Sequence, residues 1–69
     1  MINFKADGFI KLKDLLKVCN LTSSGGEAKN IIKNGEVKLN SKICISPGKK
    51  LYNNDIVEYG EEIIKINVD

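Results

Sequence analysis

The chain predicts an α+β fold in which two short packed N-terminal helices are followed by a small, mainly antiparallel sheet of short strands. Three observations predict it. Apolar residues recur at helical spacing through Leu12, Leu15, Leu16 and Cys19, and again through Ala28, Ile31 and Ile32, each set forming one stripe of an amphipathic helix. Beyond Gly35 the period drops to two, in Val37 and Leu39, in Ile43 and Ile45, and in Ile64, Ile66 and Val68. Turn signals at Asn40-Ser41, Pro47-Gly48, Asn53-Asn54-Asp55 and Gly60-Glu61-Glu62 cut this second half into pieces of strand length.

Taken in order, residues 2–10 alternate loosely through Ile2 and Phe4, turn at Asp7-Gly8 and resume at Phe9-Ile10, which predicts a short opening strand and a turn. The first helix covers about residues 12–20. Leu21-Thr22-Ser23 leaves room only for a tight connector, so the two helices form a hairpin. The second helix covers about residues 24–34. Ser24 with Glu27 three residues on is a capping box, in which hydroxyl and carboxylate each satisfy an otherwise unpaired backbone N–H. Gly35 supplies the left-handed residue that ends the helix. Asn40-Ser41 then reads as a two-residue hairpin turn, and strands follow at residues 56–59 and 63–68.

With 69 residues, 42% hydrophobic and 29% charged, the chain is one globular domain near the lower size limit for a core without disulfides or metal. There is no histidine, and Cys19 and Cys44 are the only cysteines, so a zinc site would need carboxylates to complete it. The two thiols are read as reduced, Cys19 in the core and Cys44, between Ile43 and Ile45, on the other sheet face. No Gly-x-Ser-x-Gly elbow, phosphate loop or carboxylate pair is evident, so no enzyme, cofactor or metal is expected. No basic-then-apolar leader and no apolar run near the roughly 20 residues of a membrane span is seen, and a cytoplasmic protein is expected.

The charge is unevenly placed. Residues 1–50 hold ten lysines against four acids, and residues 51–69 hold one lysine against five acids. A net charge of +2 thus hides a cationic part able to attract phosphate. Lys13 and Lys17 on the first helix, and Lys29 and Lys33 on the second, lie four residues apart beside the apolar stripe. Like charges at that spacing cost a few tenths of a kcal/mol, and within the second helix no acid stands three or four positions from either lysine. Gly25 and Gly26 open that helix although each costs up to about 1 kcal/mol relative to alanine. Bare N–H groups beside a serine make a phosphate site that a sugar-phosphate chain can approach closely. Glycine there also suits a tight connector or close helix packing, and both readings can hold together. Lys38 and Lys42 flank the Asn40-Ser41 turn, and Lys49 and Lys50 follow Pro47-Gly48. Tyr52 and Tyr59 are read first as packing residues and second as stacking platforms for a base.

The order helix, tight turn, capped helix, Gly-x-Val-x-Leu-Asn from Gly35, hairpin, then Gly-Lys-Lys-Leu-x-x-x-Asp-x-Val-Glu from Gly48 resembles the S4 RNA-binding domain over residues 10–59. Within that family, Leu15-Leu16-Lys17, residues 24–29 and residues 35–40 are most similar to the small standalone bacterial proteins of the YaaA and YbcJ type. The resemblance implies an S4-like (alpha-L) fold that binds structured RNA, often ribosomal, by its backbone and shape. It implies RNA contacts at Lys11, Lys13 and Lys17 on the first helix and at Ser24, Gly25, Gly26, Lys29 and Lys33 on the second, extended by Lys38, Asn40, Lys49 and Lys50. Two departures matter. Gly25 stands where many S4 domains have an arginine, and the chain has no arginine at all. Bidentate guanidinium recognition is therefore absent, which favours salt-sensitive phosphate binding over base reading. The usual Asn-Gly of the hairpin is Asn40-Ser41 here.

The expected partner is structured RNA, in the form of ribosomal RNA or a ribosomal subunit, bound by a monomer. No membrane partner is expected, and DNA ranks below RNA although a helical hairpin resembles a major-groove reader. The alternative is a protein-interaction adaptor that uses the S4-like fold and docks through a sheet edge or the acidic C-terminal portion. A sulfur carrier is disfavoured, because those proteins end in Gly-Gly and this chain ends Asn67-Val68-Asp69.

Overall fold

A computed structural model describes residues 1–68; Asp69, part of the C-terminal comparison above, lies outside them. The elements run β1 (Ile2–Ala6), β2 (Ile10–Lys11), α1 (Leu12–Val18), α2 (Gly25–Lys33), β3 (Val37–Leu39), β4 (Lys42–Ile43), β5 (Lys50–Leu51), β6 (Ile56–Tyr59) and β7 (Glu62–Val68). A five-stranded sheet has the order β1-β7-β6-β3-β4, and β2 pairs with β5 in a separate two-stranded ribbon.

The helices do not come first. β1 and β2 precede them, and β1 runs parallel to β7 at one edge of an otherwise antiparallel sheet. The reason lies in matching alternation: Ile2 pairs with Ile64, Phe4 with Ile66 and Ala6 with Val68, so one face of the first strand extends the apolar face of the last. A parallel neighbour needs a long crossover, and here most of the chain supplies it. An opening strand is expected in residues 2–10, though not its parallel place beside β7; the β2–β5 ribbon is an unanticipated element, since two-residue strands leave no periodicity to read.

The core joins both helices to one face of the sheet. Leu12, Leu15 and Leu16 of α1 and Ala28 and Ile32 of α2 are fully buried with Val37, Leu51, Val57, Ile64 and Ile66. Both helices end in the same way. In α2 the Gly35 N–H donates to the Ile32 carbonyl at 3.0 Å and the Glu36 N–H to that of Ile31 at 3.3 Å, with Gly35 at φ 77°. This is a Schellman motif, whose left-handed residue glycine adopts without Cβ strain. In α1 Asn20 takes that place at φ 60°, with Asn20 N–H donating to Lys17 and Leu21 N–H to Leu16. The helix therefore stops at Val18, earlier than its apolar stripe suggests.

The hairpin turn sets the register of β3 against β4. Asn40 and Ser41 both have positive φ, 51° and 73°, as a two-residue turn matched to strand twist requires. Leu39 then pairs with Lys42 and Lys38 with Ile43, and the Cys44 N–H donates to the Val37 carbonyl at 3.0 Å. Cys44 consequently packs against the core, as Cys19 also does, while Ile43 and Ile45 are 63% and 61% exposed. The expected facing of this segment is thereby reversed: a two-residue loop places residues 37 and 44 on one face, and Ile43 with Lys38 on the other.

Candidate nucleic-acid interface

The start of α2 is held by its own sequence. Ser24, in extended conformation, accepts the Glu27 N–H on its Oγ at 3.2 Å, and its carbonyl accepts the Ala28 N–H at 3.1 Å. The Glu27 carboxylate reaches the N–H of Ser23 at 3.3 Å rather than that of Ser24, so the reciprocal half of the box is shifted by one residue. Of the donors that a helix start leaves open, the capping bond settles that of Glu27, and the N–H groups of Gly25 and Gly26 remain. A Cβ at Gly25 would meet nothing within 4 Å, and one at Gly26 only the Ser24 Oγ at 3.9 Å. Close packing inside the fold therefore does not account for the two glycines; they keep an outward surface bare. Lys29 and Lys33 continue that surface as exposed residues without an ion-pair partner among the described residues.

The start of α1 is closed instead. Lys11 at its N-cap makes no side-chain cap, and the Leu12 and Lys13 N–H groups donate to the Lys49 and Pro47 carbonyls at 2.9 and 3.1 Å. Those two bonds bring Lys11 and Lys13 beside Lys49 and Lys50, more than thirty residues away in sequence. The β2–β5 ladder adds to this, pairing Ile10 with Leu51 and Lys11 with Lys50. The Lys50 ammonium lies 4.7 Å from the centre of the Phe9 ring, a cation–π contact.

Next to these lysines the surface is concave. A hollow of about 510 Å³ is lined by Leu39, Asn40, Lys42, Lys49, Lys50, Tyr52 and Asp55. Asn40 is a structural clamp there: its Oδ1 accepts the Ile56 N–H at 2.9 Å and its Nδ2 donates to Asp55 Oδ1 at 3.0 Å. Asp55 Oδ2 in turn accepts the Tyr52 N–H at 2.8 Å. The β3–β4 turn is thus tied to the segment that leads into β6.

Lys11, Lys13, Lys49, Lys50 and Asn40 accordingly fall in one region, while Ser24, Gly25, Gly26, Lys29 and Lys33 form a second one on α2. Lys17 lies on α1 between them, as α1 meets the 47–49 loop at one end and packs on α2. Lys38 is apart from both. It projects from the sheet face away from the helices, paired across the ladder with Glu58 and sharing a surface hollow with Glu36 and Glu61. Sequence reasoning gave no role to Phe9 or Asp55. Phe9 follows a turn and shows no partner in the sequence, and Asp55 enters only as a turn residue and as one position of the S4-like motif, with no contact assigned to it. Burial raises the Cys19 thiol pKa above its ordinary value, which does not suggest an activated nucleophile.

A family model described as the S4 domain matches residues 4–67. No curated protein matches the chain.

Proposed function

The chain belongs to the S4 domain family, and from that membership we propose that it is a non-catalytic module that binds structured RNA, with ribosomal RNA or a ribosomal particle as its target. The family is associated with RNA binding, and its members are generally non-enzymatic. The observation that carries the reading is the bare start of α2, where two glycines leave backbone donors open although nothing in the fold would obstruct a Cβ. A helix N-terminus with free N–H groups attracts phosphate through both hydrogen bonding and the helix dipole, and Lys29 and Lys33 add mobile positive charge along the same helix.

In this reading the second group, Lys11, Lys13, Lys49 and Lys50, holds a neighbouring stretch of the same RNA backbone. Lysine is a point charge rather than a planar fork, so the surface recognises the path of phosphates and the shape of a folded RNA more than base edges. The protein acts as a cytoplasmic monomer. With about five phosphate contacts, affinity falls roughly a hundredfold or more between about 50 and 200 mM salt. Titration of a folded ribosomal RNA fragment and a DNA duplex of equal length across that range tests the proposal. Tighter, steeply salt-dependent binding of the RNA supports it, and equal or salt-independent binding of both contradicts it.

A second reading, a protein-interaction adaptor on the same fold, is favoured by the exposed Ile43 and Ile45 beside the free edge of β4. Salt-insensitive capture of one protein from nuclease-treated lysate supports that reading.

A further inference from the structure

We propose that the hollow between the β3–β4 turn and β5 takes one unstacked nucleotide of the bound RNA, its base against the Tyr52 ring and its phosphate on Lys42, Lys49 and Lys50. The inference rests on the RNA-binding reading and adds that the RNA must present an unpaired residue, in a bulge, a loop or an end.

Four features of the hollow support it. Its volume of about 510 Å³ lies within the range of small-molecule sites, about 300–1,000 Å³. Its lining combines the aromatic Tyr52, the aliphatic Leu39 and three lysines, which complement the two chemistries that single-stranded nucleic acid offers, π-faces and phosphates. Alternation about buried Leu51 turns Lys50 and Tyr52 to the same side, and Tyr52 is left 55% exposed. Finally, the one acid in the lining, Asp55, has both oxygens engaged by Asn40 Nδ2 and the Tyr52 N–H. Those donors are neutral and leave Asp55 its charge, so three lysines stand against one carboxylate and the hollow stays net positive, while Tyr52 is anchored through its own backbone.

The clamp also fixes a donor. Asn40 uses one amide proton on Asp55 and its carbonyl on Ile56, which leaves the second amide proton for a carbonyl of the base or a phosphate oxygen. The Lys50 ammonium also lies over the ring of Phe9, a residue outside the lining of the hollow.

The test compares Tyr52→Ala and Tyr52→Phe with the unchanged protein on two RNA hairpins of equal length, one with a single bulged nucleotide and one fully paired. Uridine monophosphate is the free-nucleotide probe. Because Tyr52 is exposed, both variants should melt as the parent does, which a thermal scan checks. The expected result is that Tyr52→Ala weakens binding of the bulged hairpin about tenfold, that the paired hairpin is unaffected, and that Tyr52→Phe restores the bulge preference. Loss of affinity for neither hairpin, or for both equally, overturns the proposal while salt-sensitive RNA binding by the parent protein persists. Uridine monophosphate binding as tightly as the bulged hairpin overturns it too, by assigning the hollow to free nucleotides. If the parent protein binds neither hairpin, the RNA-binding reading itself fails.

Discussion

Lys11 and Lys50 stand directly opposite each other across the β2–β5 ladder, two ammonium groups on the outward side of a ribbon whose inward pair, Ile10 and Leu51, packs toward the core. Like charges in that relation are destabilising, and a ladder of two residue pairs has little else to offset them. Lys50 finds relief on the Phe9 ring, whereas Lys11 is exposed. The ribbon also forms the approach to α1, whose first N–H groups bond to the 47–49 loop, so the repulsion is built into the junction between helix and ribbon. An anionic partner would remove it.

Lys11→Glu should therefore separate stability from binding. Replacing repulsion by attraction is expected to stabilise the fold by about 0.2–1 kcal/mol, read as a higher melting temperature. RNA affinity should fall several-fold, and the salt slope should become shallower by about one unit or more. A variant that melts lower, or that binds RNA as the parent does, contradicts the assignment of Lys11 to the RNA surface.

Gly25→Ala makes a comparable test at the other group. A Cβ there has open space, so the substitution should be neutral or stabilising by up to about 1 kcal/mol through helix propensity. The added methyl stands where the phosphate chain is proposed to approach, and affinity for folded RNA should drop. Stability and affinity measured on the same preparation check both halves, and unchanged affinity would remove the helix start from the interface.

Asn40 is expected to matter first to the fold. Asn40→Gly keeps the left-handed turn comfortable but strips the Ile56 N–H and the Asp55 carboxylate of their partner. Loss of these hydrogen bonds should cost about 1–2 kcal/mol, or a fall in melting temperature of roughly 5–15 °C for a domain of this size. Chemical denaturation quantifies it, and a change within error would show that the clamp is not stabilising.

What the sequence made legible was what rests on local periodicity and caps. Ser24, Glu27 and Gly35 marked α2 to within a residue, and the Asn40-Ser41 turn marked the hairpin, because each acts on backbone groups only a few positions away. The facing of Ile43 and Ile45 was lost because the apolar pattern Ile-Cys-Ile is ambiguous about which residues point inward, and the two-residue turn decides it by register. The place of β1 was lost because parallel pairing with β7 joins the two ends of the chain, and no local signal reports it. On the proposed surface, Lys29 and Lys33 could be placed from helical spacing alone. The gathering of Lys11 and Lys13 with Lys49 and Lys50 could not, since it depends on two backbone bonds and one short ladder between distant segments. Lys38 was grouped with the others through the S4 resemblance, and strand alternation turns it to the opposite side of the sheet.

The most direct measurement is crosslinking of the protein to RNA in cells, followed by sequencing of the bound RNA, with a Lys29→Glu, Lys33→Glu double variant alongside. Both lysines are exposed on α2, so the variant is expected to fold, and circular dichroism verifies it. The expected result is enrichment of a discrete structured region of ribosomal RNA by the parent protein and its disappearance in the variant. An RNA profile no higher than background, or one that the double variant leaves intact, would contradict it.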